Sequence, residues 1–340
     1  MRRRNGQGRA AAQILTAVIL AGAVPAPAGA EDAFAPGRTV KIIVGMPPGG
    51  GVDAYARLLQ RHLVRHLPGG PAIVVQNMPG AGSLRSVMAL AAAGDDGATI
   101  GTFSSSLITE AISAPERVKV DFRNYAFIGN VSEDIRVCYV SRASGVRNWH
   151  DLLARDRINF GATAPGTSGN IDTAMLRNLF GVKLKQVQGY AGSADKRLAL
   201  EKGEIDGDCG GFTALSEDTL RKINLMVRLS PTLLAGLDAS VPFGGDLVAS
   251  ARDRKVYDFL IAPERLGRLF MTSGKMPAER MAALRRAFDA TVADPAFLAE
   301  AQGFGLTVAP MTGEEVARHV TELYATPPDL IARAKAVMGE

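Results

Sequence analysis

A glycine-rich turn between a strand pattern and a helix pattern constrains the fold of this chain more than any other segment. The turn covers residues 46–53, Met-Pro-Pro-Gly-Gly-Gly-Val-Asp. The apolar run at 40–44 is typical of a short buried strand, and residues 55–67 carry apolar side chains at helical spacing. The first N–H groups of a helix have no intrahelical partner and lie at the positive end of its dipole. The turn therefore predicts an anion site where a strand feeds a helix.

A second turn of the same kind occurs at residues 161–170. It follows a strand-like run at 158–160 and precedes a helical pattern at 171–180. Around both turns, short apolar runs alternate with helix-length segments, which is typical of βαβ units. In such folds ligands bind beside the carboxyl ends of the strands. Two anion-binding helix starts in one chain thus indicate a ligand held between two lobes.

The alternation predicts an α/β fold with two lobes, each a mostly parallel sheet flanked by helices, and a ligand cleft between them. A looser stretch containing Pro115 separates two α/β units, and the pattern becomes less regular after Thr232. We assign residues 31–128 and about 231–310 to the first lobe and residues 129–230 to the second. Residues 311–340 are expected to form C-terminal helices that pack on the lobes.

The first 30 residues have the pattern of a secretory signal peptide. Arginines precede an apolar stretch at 14–24, and Ala28-Gly29-Ala30 is a small-residue cleavage site. We expect cleavage after Ala30 and an exported mature protein. The segment holds four arginines and no acidic residue, so its removal lowers the formal net charge from +5 to +1. The mature chain therefore gives no charge argument for nucleic acid or an anionic membrane as a partner.

No catalytic or cofactor motif accompanies the glycine turns. Neither turn completes a dinucleotide fingerprint or a phosphate loop, and no serine lies in a nucleophile elbow. His62 and His66 lie on one helix face, but their basic neighbours favour a solvated surface over a zinc site. We therefore expect no enzyme activity, no cofactor and no metal. Export permits a disulfide between Cys138 and Cys209, and two buried free thiols stay open as the alternative.

Several polar positions near the turns allow two interpretations each. Asp53 can accept backbone N–H bonds at its helix start, or it can contact the ligand through water or an amino group. Thr167 can be a helix cap, or its hydroxyl can bind the ligand directly. Asp206 and Asp208 lie on one face of a strand, where they can meet a ligand amine or face water.

Five motifs in order make the chain resemble the substrate-binding proteins of tripartite tricarboxylate transporters, the Bug or TctC family. They are Pro-Gly-Gly-Gly-Val-Asp followed by Ala-Arg at 48–57, Asn-Met-Pro-Gly-Ala-Gly at 77–82, the turn at 161–170, Gly-Tyr-Ala-Gly-Ser-Ala at 189–194 and Gly-Glu-Ile-Asp at 203–206. The resemblance covers nearly all of the mature chain. It implies a two-lobed, type II-like periplasmic binding protein that closes over a small carboxylate and delivers it to a membrane permease.

The resemblance also implies that backbone N–H groups and hydroxyls of the two turns hold the carboxylate. Many members of the family have Thr or Ser at the position of Val52, so we expect the first turn to bind mainly through its backbone. We expect a monomer in the periplasm whose partners are a small organic acid and the permease. The alternative functions are presentation of the ligand to a sensor kinase and catalysis by an exported enzyme.

The residues expected to contact the ligand belong to the two turns and to the strand ends beside them. They are Pro48, Gly49, Gly50, Gly51, Val52, Asp53, Ser104, Thr163, Gly166, Thr167, Ser168, Tyr190, Gly192 and Asp208.

Overall fold

The computed structural model describes residues 34–35, 37–94 and 98–339. The predicted signal peptide and its cleavage site lie outside these residues. Within them, eleven strands form two sheets, and twelve α-helices accompany the sheets. No helix in these ranges combines the length and the apolar character needed to cross a membrane.

Strands and helices alternate through most of the chain. The strands are β1 (Thr39–Val44), β2 (Ala72–Asn77), β3 (Thr99–Thr102), β4 (Tyr125–Asn130), β5 (Arg136–Ser141), β6 (Ile158–Gly161), β7 (Leu184–Val187), β8 (Gly207–Gly211), β9 (Ile223–Arg228), β10 (Leu269–Ser273) and β11 (Met311–Thr312). The helices are α1 (Gly51–Leu63), α2 (Leu84–Ala92), α3 (Ser106–Ser113), α4 (Trp149–Ala154), α5 (Ser168–Asn178), α6 (Ser193–Glu201), α7 (Glu217–Lys222), α8 (Ala251–Ile261), α9 (Ala278–Ala293), α10 (Pro295–Gly303), α11 (Gly313–Tyr324) and α12 (Pro328–Met338).

Both sheets contain parallel and antiparallel pairs. The first has the order β11-β4-β10-β3-β1-β2, in which β2, β1 and β3 are parallel and β10 is antiparallel to β3 and β4. The second has the order β7-β6-β8-β5-β9, in which β6 is parallel to β7 and β8, whereas β5 is antiparallel to β8 and β9. The prediction of mostly parallel sheets is therefore corrected to two mixed sheets.

The antiparallel pairs arise because the chain crosses between the sheets and returns. β4 leaves the first sheet at Asn130 and β5 enters the second at Arg136, so β4 points toward the second sheet. β10 begins where the chain comes back, and it therefore runs against β4. By the same constraint β8 runs against β5 and points back toward the first sheet. The carboxyl ends of the parallel strands in each sheet consequently face the other sheet.

Helices cover the sheets and bury their apolar side chains. Val40, Ile42 and Val44 of β1 are fully buried, and they share an apolar cluster with Leu58 and Leu59 of α1. Full burial of such a side chain contributes about 1.5–3 kcal/mol of hydrophobic free energy. The contact between β1 and α1 thus fixes the turn that joins them.

A disulfide joins the neighbouring strands β5 and β8. Cys138 and Cys209 are partners across the sheet, and both are buried. The structure thereby selects the disulfide over the two free thiols that the sequence left open. The bond links positions 71 residues apart in sequence and ties together the strands that carry Arg136 and Asp208.

Two elements from the C-terminal part of the chain pack across the fold. α12 contacts α3, α5 and α8. On α8, the Tyr257 hydroxyl donates to the carbonyl of Leu229, and the Tyr257 ring makes an edge contact with Phe180. The strands of the first sheet come from residues 39–130 and 269–312, and those of the second from 136–228. The lobe boundaries given above stay a prediction.

Candidate ligand-binding cleft

A small cavity lies between the two sheets, where the carboxyl ends of their parallel strands face each other. Its volume is about 100 Å³, and residues from both sheets line it. Pockets for drug-sized ligands measure about 300–1,000 Å³, so this cavity suits a much smaller molecule. Its wall includes the starts of three helices and three buried cationic side chains.

The start of α1 forms one side of the cavity, and we call residues 48–52 the first jaw. Gly50 is the N-cap, and no side chain caps the helix. The N–H groups of Gly51 and Val52 have no protein acceptor in the part of the chain that the structure describes. The first jaw therefore offers backbone donors and the positive end of a helix dipole to an anion.

Asp53 supports the first jaw from outside the cavity. Its carboxylate accepts hydrogen bonds from the N–H of Gly49 at 3.0 Å, from Arg57 Nε at 3.0 Å and from Asn77 Nδ2 at 2.8 Å. Burial would raise the pKa of Asp53, but these hydrogen bonds outweigh burial and lower the pKa below its usual value. The geometry favours Asp53 as an acceptor that shapes the turn over Asp53 as a ligand contact.

The start of α5 faces the first jaw, and we call residues 163–169 the second jaw. Thr167 is the N-cap of α5, but its side chain does not cap the helix. Its hydroxyl instead donates to the carbonyl of Ala164 at 2.7 Å. The N–H groups of Ser168 and Gly169 have no protein acceptor among the described residues. The second jaw thus presents backbone donors to the cavity as the first does.

The hydroxyl protons around the second jaw are directed at protein acceptors. Ser106 donates to a backbone carbonyl of the jaw at 2.9 Å, so Ser104, whose oxygen is 2.8 Å away, donates to Ser106. Because Thr167 donates to a backbone carbonyl, Thr163 donates to Thr167. These hydroxyls therefore use their protons in hydrogen bonds that stabilise the loop, and they do not donate them to an anion in the cavity. Backbone N–H groups remain as the main uncharged donors.

A third helix start faces the same cavity. Gly192 is the N-cap of α6 in an extended conformation, with no side-chain cap. The N–H groups of Ser193 and Ala194 have no protein acceptor within the described ranges, and both residues line the cavity. A Cβ on Gly192 would lie 3.5 Å from Cγ of Pro47, so the start of α6 lies against the turn that carries the first jaw. Three helix dipoles therefore converge on one small space.

A buried ion network forms another part of the wall. Arg136 donates from Nε to Asp172 Oδ2 at 2.6 Å and from Nη1 to Asp134 Oδ2 at 3.1 Å. Arg268 donates from Nη2 to Asp134 Oδ1 at 2.7 Å. Burial would raise the pKa of Asp134, but the two guanidinium groups outweigh it and lower this pKa. For Asp172 burial outweighs the effect of Arg136, and the pKa is raised.

Glu264 lies beside this network with an incomplete set of hydrogen bonds. Its side chain is buried, and Oε2 has no hydrogen-bond partner in the part of the chain that the structure describes. Burial raises its pKa to about 8; Arg136 opposes the shift, whereas the carboxylates of Asp134 and Asp172 add to it. Glu264 is consequently protonated in neutral solution. Ser168 of the second jaw acts to lower this pKa, but less strongly than burial raises it.

Asp208 belongs to a separate buried group behind the cavity wall. Its carboxylate accepts hydrogen bonds from Lys196 Nζ at 2.5 Å and from the Tyr139 hydroxyl at 2.9 Å. Lys196 also donates to the carbonyl of Cys209 at 2.8 Å. Burial, reinforced by the charge of Asp208, raises the pKa of Tyr139 well above its usual value. Asp208 therefore neutralises Lys196 and does not reach the cavity.

The structure brings most of the predicted contact residues to the cavity wall. Those that line it are Pro48, Gly50, Gly51, Val52, Ser104, Thr163, Thr167, Ser168 and Gly192. Those that do not line it are Gly49, Asp53, Gly166, Tyr190 and Asp208.

The predicted residues that miss the cavity have structural roles nearby. Gly49 and Gly166 have φ values of 80° and 77°, which let the two turns form. A Cβ on Gly166 would also collide with the carboxylate of Glu110. Tyr190 packs against the apolar cluster that contains Val137 on β5 and is not among the residues that line the cavity.

The sequence interpretation missed the three buried cations of the wall, Arg136, Lys196 and Arg268. Arg136 lies within an apolar run at 135–140, and Arg268 directly precedes another at 269–271. A single charge in such a run is the signal that could have found the two arginines, because a buried charge requires a partner. Their carboxylate partners come from other elements of the fold, and nothing in the neighbouring sequence indicates which carboxylate pairs with which arginine.

The histidines of α1 pair with carboxylates. His62 Nε2 contacts Glu300, and His66 Nε2 lies 3.0 Å from Asp294 Oδ2. The prediction of a solvated face is wrong for His62, which is buried because α10 covers that side of α1. Among the described residues, no group of three or more His, Cys, Asp or Glu side chains could hold a metal ion.

Sequence comparison finds curated relatives over about half of the chain. No protein-family model matches it. A UPF0065 protein from the tcbD–tcbE intergenic region of Pseudomonas sp. strain P51 is 30% identical over 196 residues, which are 56% of this chain and 57% of that protein. The chain therefore spans little more than half the length of the curated relatives it matches.

Structural comparison extends the likeness to nearly the whole fold. The periplasmic binding protein BugD is 21% identical, with a TM-score of 0.71 over 89% of this chain and 98% of BugD. MatC from Rhodopseudomonas palustris with bound malate is 18% identical, with a TM-score of 0.69 over 89% of this chain and 99% of MatC. These neighbours establish the fold as that of a two-lobed periplasmic binding protein.

Proposed function

We propose that this chain is a periplasmic solute-binding protein for a small organic carboxylate. The premise is membership of the Bug/TctC family, which the sequence and structural relatives support. In this proposal the cleft captures the carboxylate and delivers it to a membrane permease of the tripartite tricarboxylate type. The protein acts as a monomer, and its role is binding without catalysis.

The convergence of three uncapped helix starts on one cavity carries the proposal. The first turns of α1, α5 and α6 each present N–H groups that have no acceptor among the described residues. Each start also contributes the positive end of a helix dipole, which favours a negatively charged ligand. A ligand placed in the cavity can accept several of these N–H groups at once through its carboxylate oxygens. The small cavity volume and the malate bound in MatC support a short organic acid.

The division of the cavity between the two lobes supports their closure on the ligand. One helix start belongs to the first sheet and two belong to the second, so full contact with a ligand requires both lobes. A ligand that bridges the jaws favours the closed state through contacts that exist only there. The crossing segment between β4 and β5 is short, with residues 131–135 between them, and is the natural place for a hinge.

Calorimetry on purified mature protein tests carboxylate binding. The panel contains monocarboxylates, dicarboxylates and aromatic carboxylates, with the corresponding amides and alcohols as uncharged controls. We expect binding of at least one carboxylate and of none of its uncharged analogues. The absence of heat and of a thermal shift across the whole panel would overturn the proposal.

A pair of variants at one position tests the role of backbone donors. Ser168→Pro removes the N–H at the first position of α5, where proline is well tolerated by a helix. Thr167, the preceding residue, already has an extended backbone that proline accepts. Ser168→Ala removes the hydroxyl and keeps the N–H. We expect the proline variant to bind the carboxylate about tenfold or more weakly than the alanine variant, since a hydrogen bond to a charged group is worth about 1.5–3 kcal/mol.

Transport and signalling are separated in cells. Deletion of the gene should abolish uptake of the labelled carboxylate that the purified protein binds, and the Ser168→Pro allele should fail to restore it. Normal uptake together with lost induction of a carboxylate-responsive gene would instead assign the protein to a sensory system.

A further inference from the structure

We infer that the ligand carries two anionic groups and that Arg268 binds the second of them. The inference rests on the proposed function, because it concerns the same cleft. It assigns a ligand-binding role to a residue that lies far in sequence from both jaws and that no motif indicates. The chemical class it selects is a short dicarboxylate over a monocarboxylate of the same length.

Arg268 lies at the seam between the two lobes. It directly precedes β10, and its guanidinium lines the cavity. A Cβ on Gly51, at the start of α1, would lie 2.8 Å from Arg268 Nη2, and a Cβ on Gly211, at the end of β8, would lie 3.6 Å from it. The guanidinium therefore touches the first jaw on one side and the second sheet on the other.

The guanidinium of Arg268 has donors to spare. Nη1 donates to the carbonyl of Gly267 at 2.7 Å, and Nη2 donates to Asp134 at 2.7 Å. Arginine has five N–H donors, so the described residues occupy only part of the set. Nε is enclosed by protein and has no acceptor among the described residues, and the residue as a whole is only 3% exposed. Nη1 and Nη2 each keep a second hydrogen beyond these bonds, and a ligand oxygen in the cavity can accept from them.

The electrostatic surroundings of Arg268 also favour the binding of an anion beside it. A cation at a helix N-terminus is unfavourable because the helix dipole is positive there. Arg268 packs against the first residue of α1, and its carboxylate partner Asp134 is shared with Arg136. The Tyr55 ring, whose centroid is 5.2 Å from Arg268 Cζ, adds only a weak cation–π attraction. A ligand carboxylate would compensate the guanidinium and the helix start together.

The other two cations of the cavity wall are already engaged. Arg136 donates from Nε and Nη1 to Asp172 and Asp134, and Nη2 also contacts Asp172. Lys196 donates to Asp208 and to a backbone carbonyl. Among the cationic side chains that line the described cavity, Arg268 is thus the one whose buried donor lacks an acceptor.

Two separate donor sets then divide the ligand between them. The backbone N–H groups of the second jaw and of α6 receive one carboxylate. Arg268 and the N–H groups of the first jaw receive the other. A monocarboxylate fills only one of these sets and leaves either the guanidinium or the second jaw unpaired.

The test compares dicarboxylates with their own monoamides by calorimetry. Malonate, succinate, glutarate and adipate are each measured beside the acid in which one carboxylate is replaced by a carboxamide, so that length and shape are matched. We expect wild-type protein to bind at least one diacid about 10- to 100-fold more tightly than its monoamide, the range given by one hydrogen bond between charged groups. Arg268→Gln should remove most of this preference, and Arg268→Lys should keep part of it.

Folding and specificity are controlled separately. Thermal unfolding of each variant verifies that it folds, and Arg221→Gln on the exposed surface of α7 is the matched arginine control, which should keep the wild-type preference. The comparison of diacid with monoamide on wild-type protein needs no variant. It therefore tests whether the ligand carries two anionic groups even if Arg268→Gln fails to fold. Equal affinity of wild-type protein for diacid and monoamide would overturn the inference and leave the proposed function intact. A folded Arg268→Gln protein that retains the full preference would also overturn it, whereas failure to bind any carboxylate would overturn the proposed function itself.

Discussion

Arg136 on β5 and Asp172 on α5 form a buried ion pair, with 2.6 Å between Nε and Oδ2. Both side chains are almost completely shielded from water. The pair fixes the helix that carries the second jaw to the strand that enters the second lobe. It therefore connects the stability of the fold to the geometry of the cleft.

Arg136→Gln should lower the free energy of unfolding by about 3–5 kcal/mol, because it leaves Asp172 and Asp134 as buried carboxylates that share too little positive charge. Urea denaturation of the wild-type and variant proteins measures the loss. Adding Asp172→Asn should recover part of it by removing the unpaired charge. A single-variant loss below about 1 kcal/mol would show that the network relaxes without this cation.

Thr167→Val should affect stability more than ligand affinity. The hydroxyl of Thr167 donates to the carbonyl of Ala164 and accepts from Thr163, so its loss removes two loop hydrogen bonds worth about 1 kcal/mol each. The ligand donors at this jaw are N–H groups that valine leaves in place. We expect less than threefold weaker carboxylate binding, with Thr167→Ser as the control that keeps the hydrogen bonds. A tenfold loss of affinity in the valine variant alone would restore Thr167 as a direct ligand contact.

Glu264 should make the protein less stable as the pH rises from about 5 to 8. Its pKa is raised from 4.5 to about 8 in the folded state, so between these values the folded protein binds more protons than the unfolded chain. The free energy of unfolding therefore falls with increasing pH across this window, by about 3 kcal/mol between pH 5 and pH 7.5. Thermal denaturation of the wild-type and Glu264→Gln proteins at several pH values measures the effect.

The glutamine variant should be more stable than wild type at pH 8 and should show a weaker dependence on pH, because it keeps the shape of Glu264 without an ionisable proton. The other carboxylates of the network are unchanged and serve as the internal reference. Parallel pH profiles of the two proteins would contradict the buried, protonated state of Glu264.

Replacement of both Cys138 and Cys209 by alanine should destabilise the protein by about 2–5 kcal/mol, since their bond closes a long loop in the unfolded chain. Denaturation with and without a reducing agent measures the difference. Wild-type protein reduced in the unfolded state should approach the stability of the double variant. Equal stability of oxidised wild type and double variant would indicate that the bond constrains neither state.

The two jaws could be predicted from sequence because both lie on local patterns. The exact residue at which each helix starts was harder to predict from the sequence. α1 begins at Gly51 and α5 at Ser168, whereas the apolar spacing predicts starts at residue 55 and residue 171. The first turn of each helix consists of small or polar residues that carry no apolar periodicity. Gly51, Val52, Ser168 and Gly169 among them line the cleft, so this part of the binding surface lies outside the helical signal.

Elements that depend on the whole fold were harder to predict. α3 and α8 lie in the segments that the sequence pattern leaves irregular, and β10 is paired only after the chain has returned from the second lobe. The same holds for Arg268, whose neighbours come from the crossing segment, the first jaw and the second sheet. Such contacts join positions that are remote in sequence, and no local pattern in a single sequence predicts them.

The close contact between Gly51 and Arg268 gives a way to recognise proteins with the same ligand preference. A Cβ at position 51 would force the guanidinium to shift, so we expect glycine there to accompany arginine at 268. A relative that exchanges the arginine is released from this restriction and is free to acquire a side chain at the helix start. Joint variation of the two positions across an alignment would therefore separate binders of doubly charged acids from the rest without a further structure.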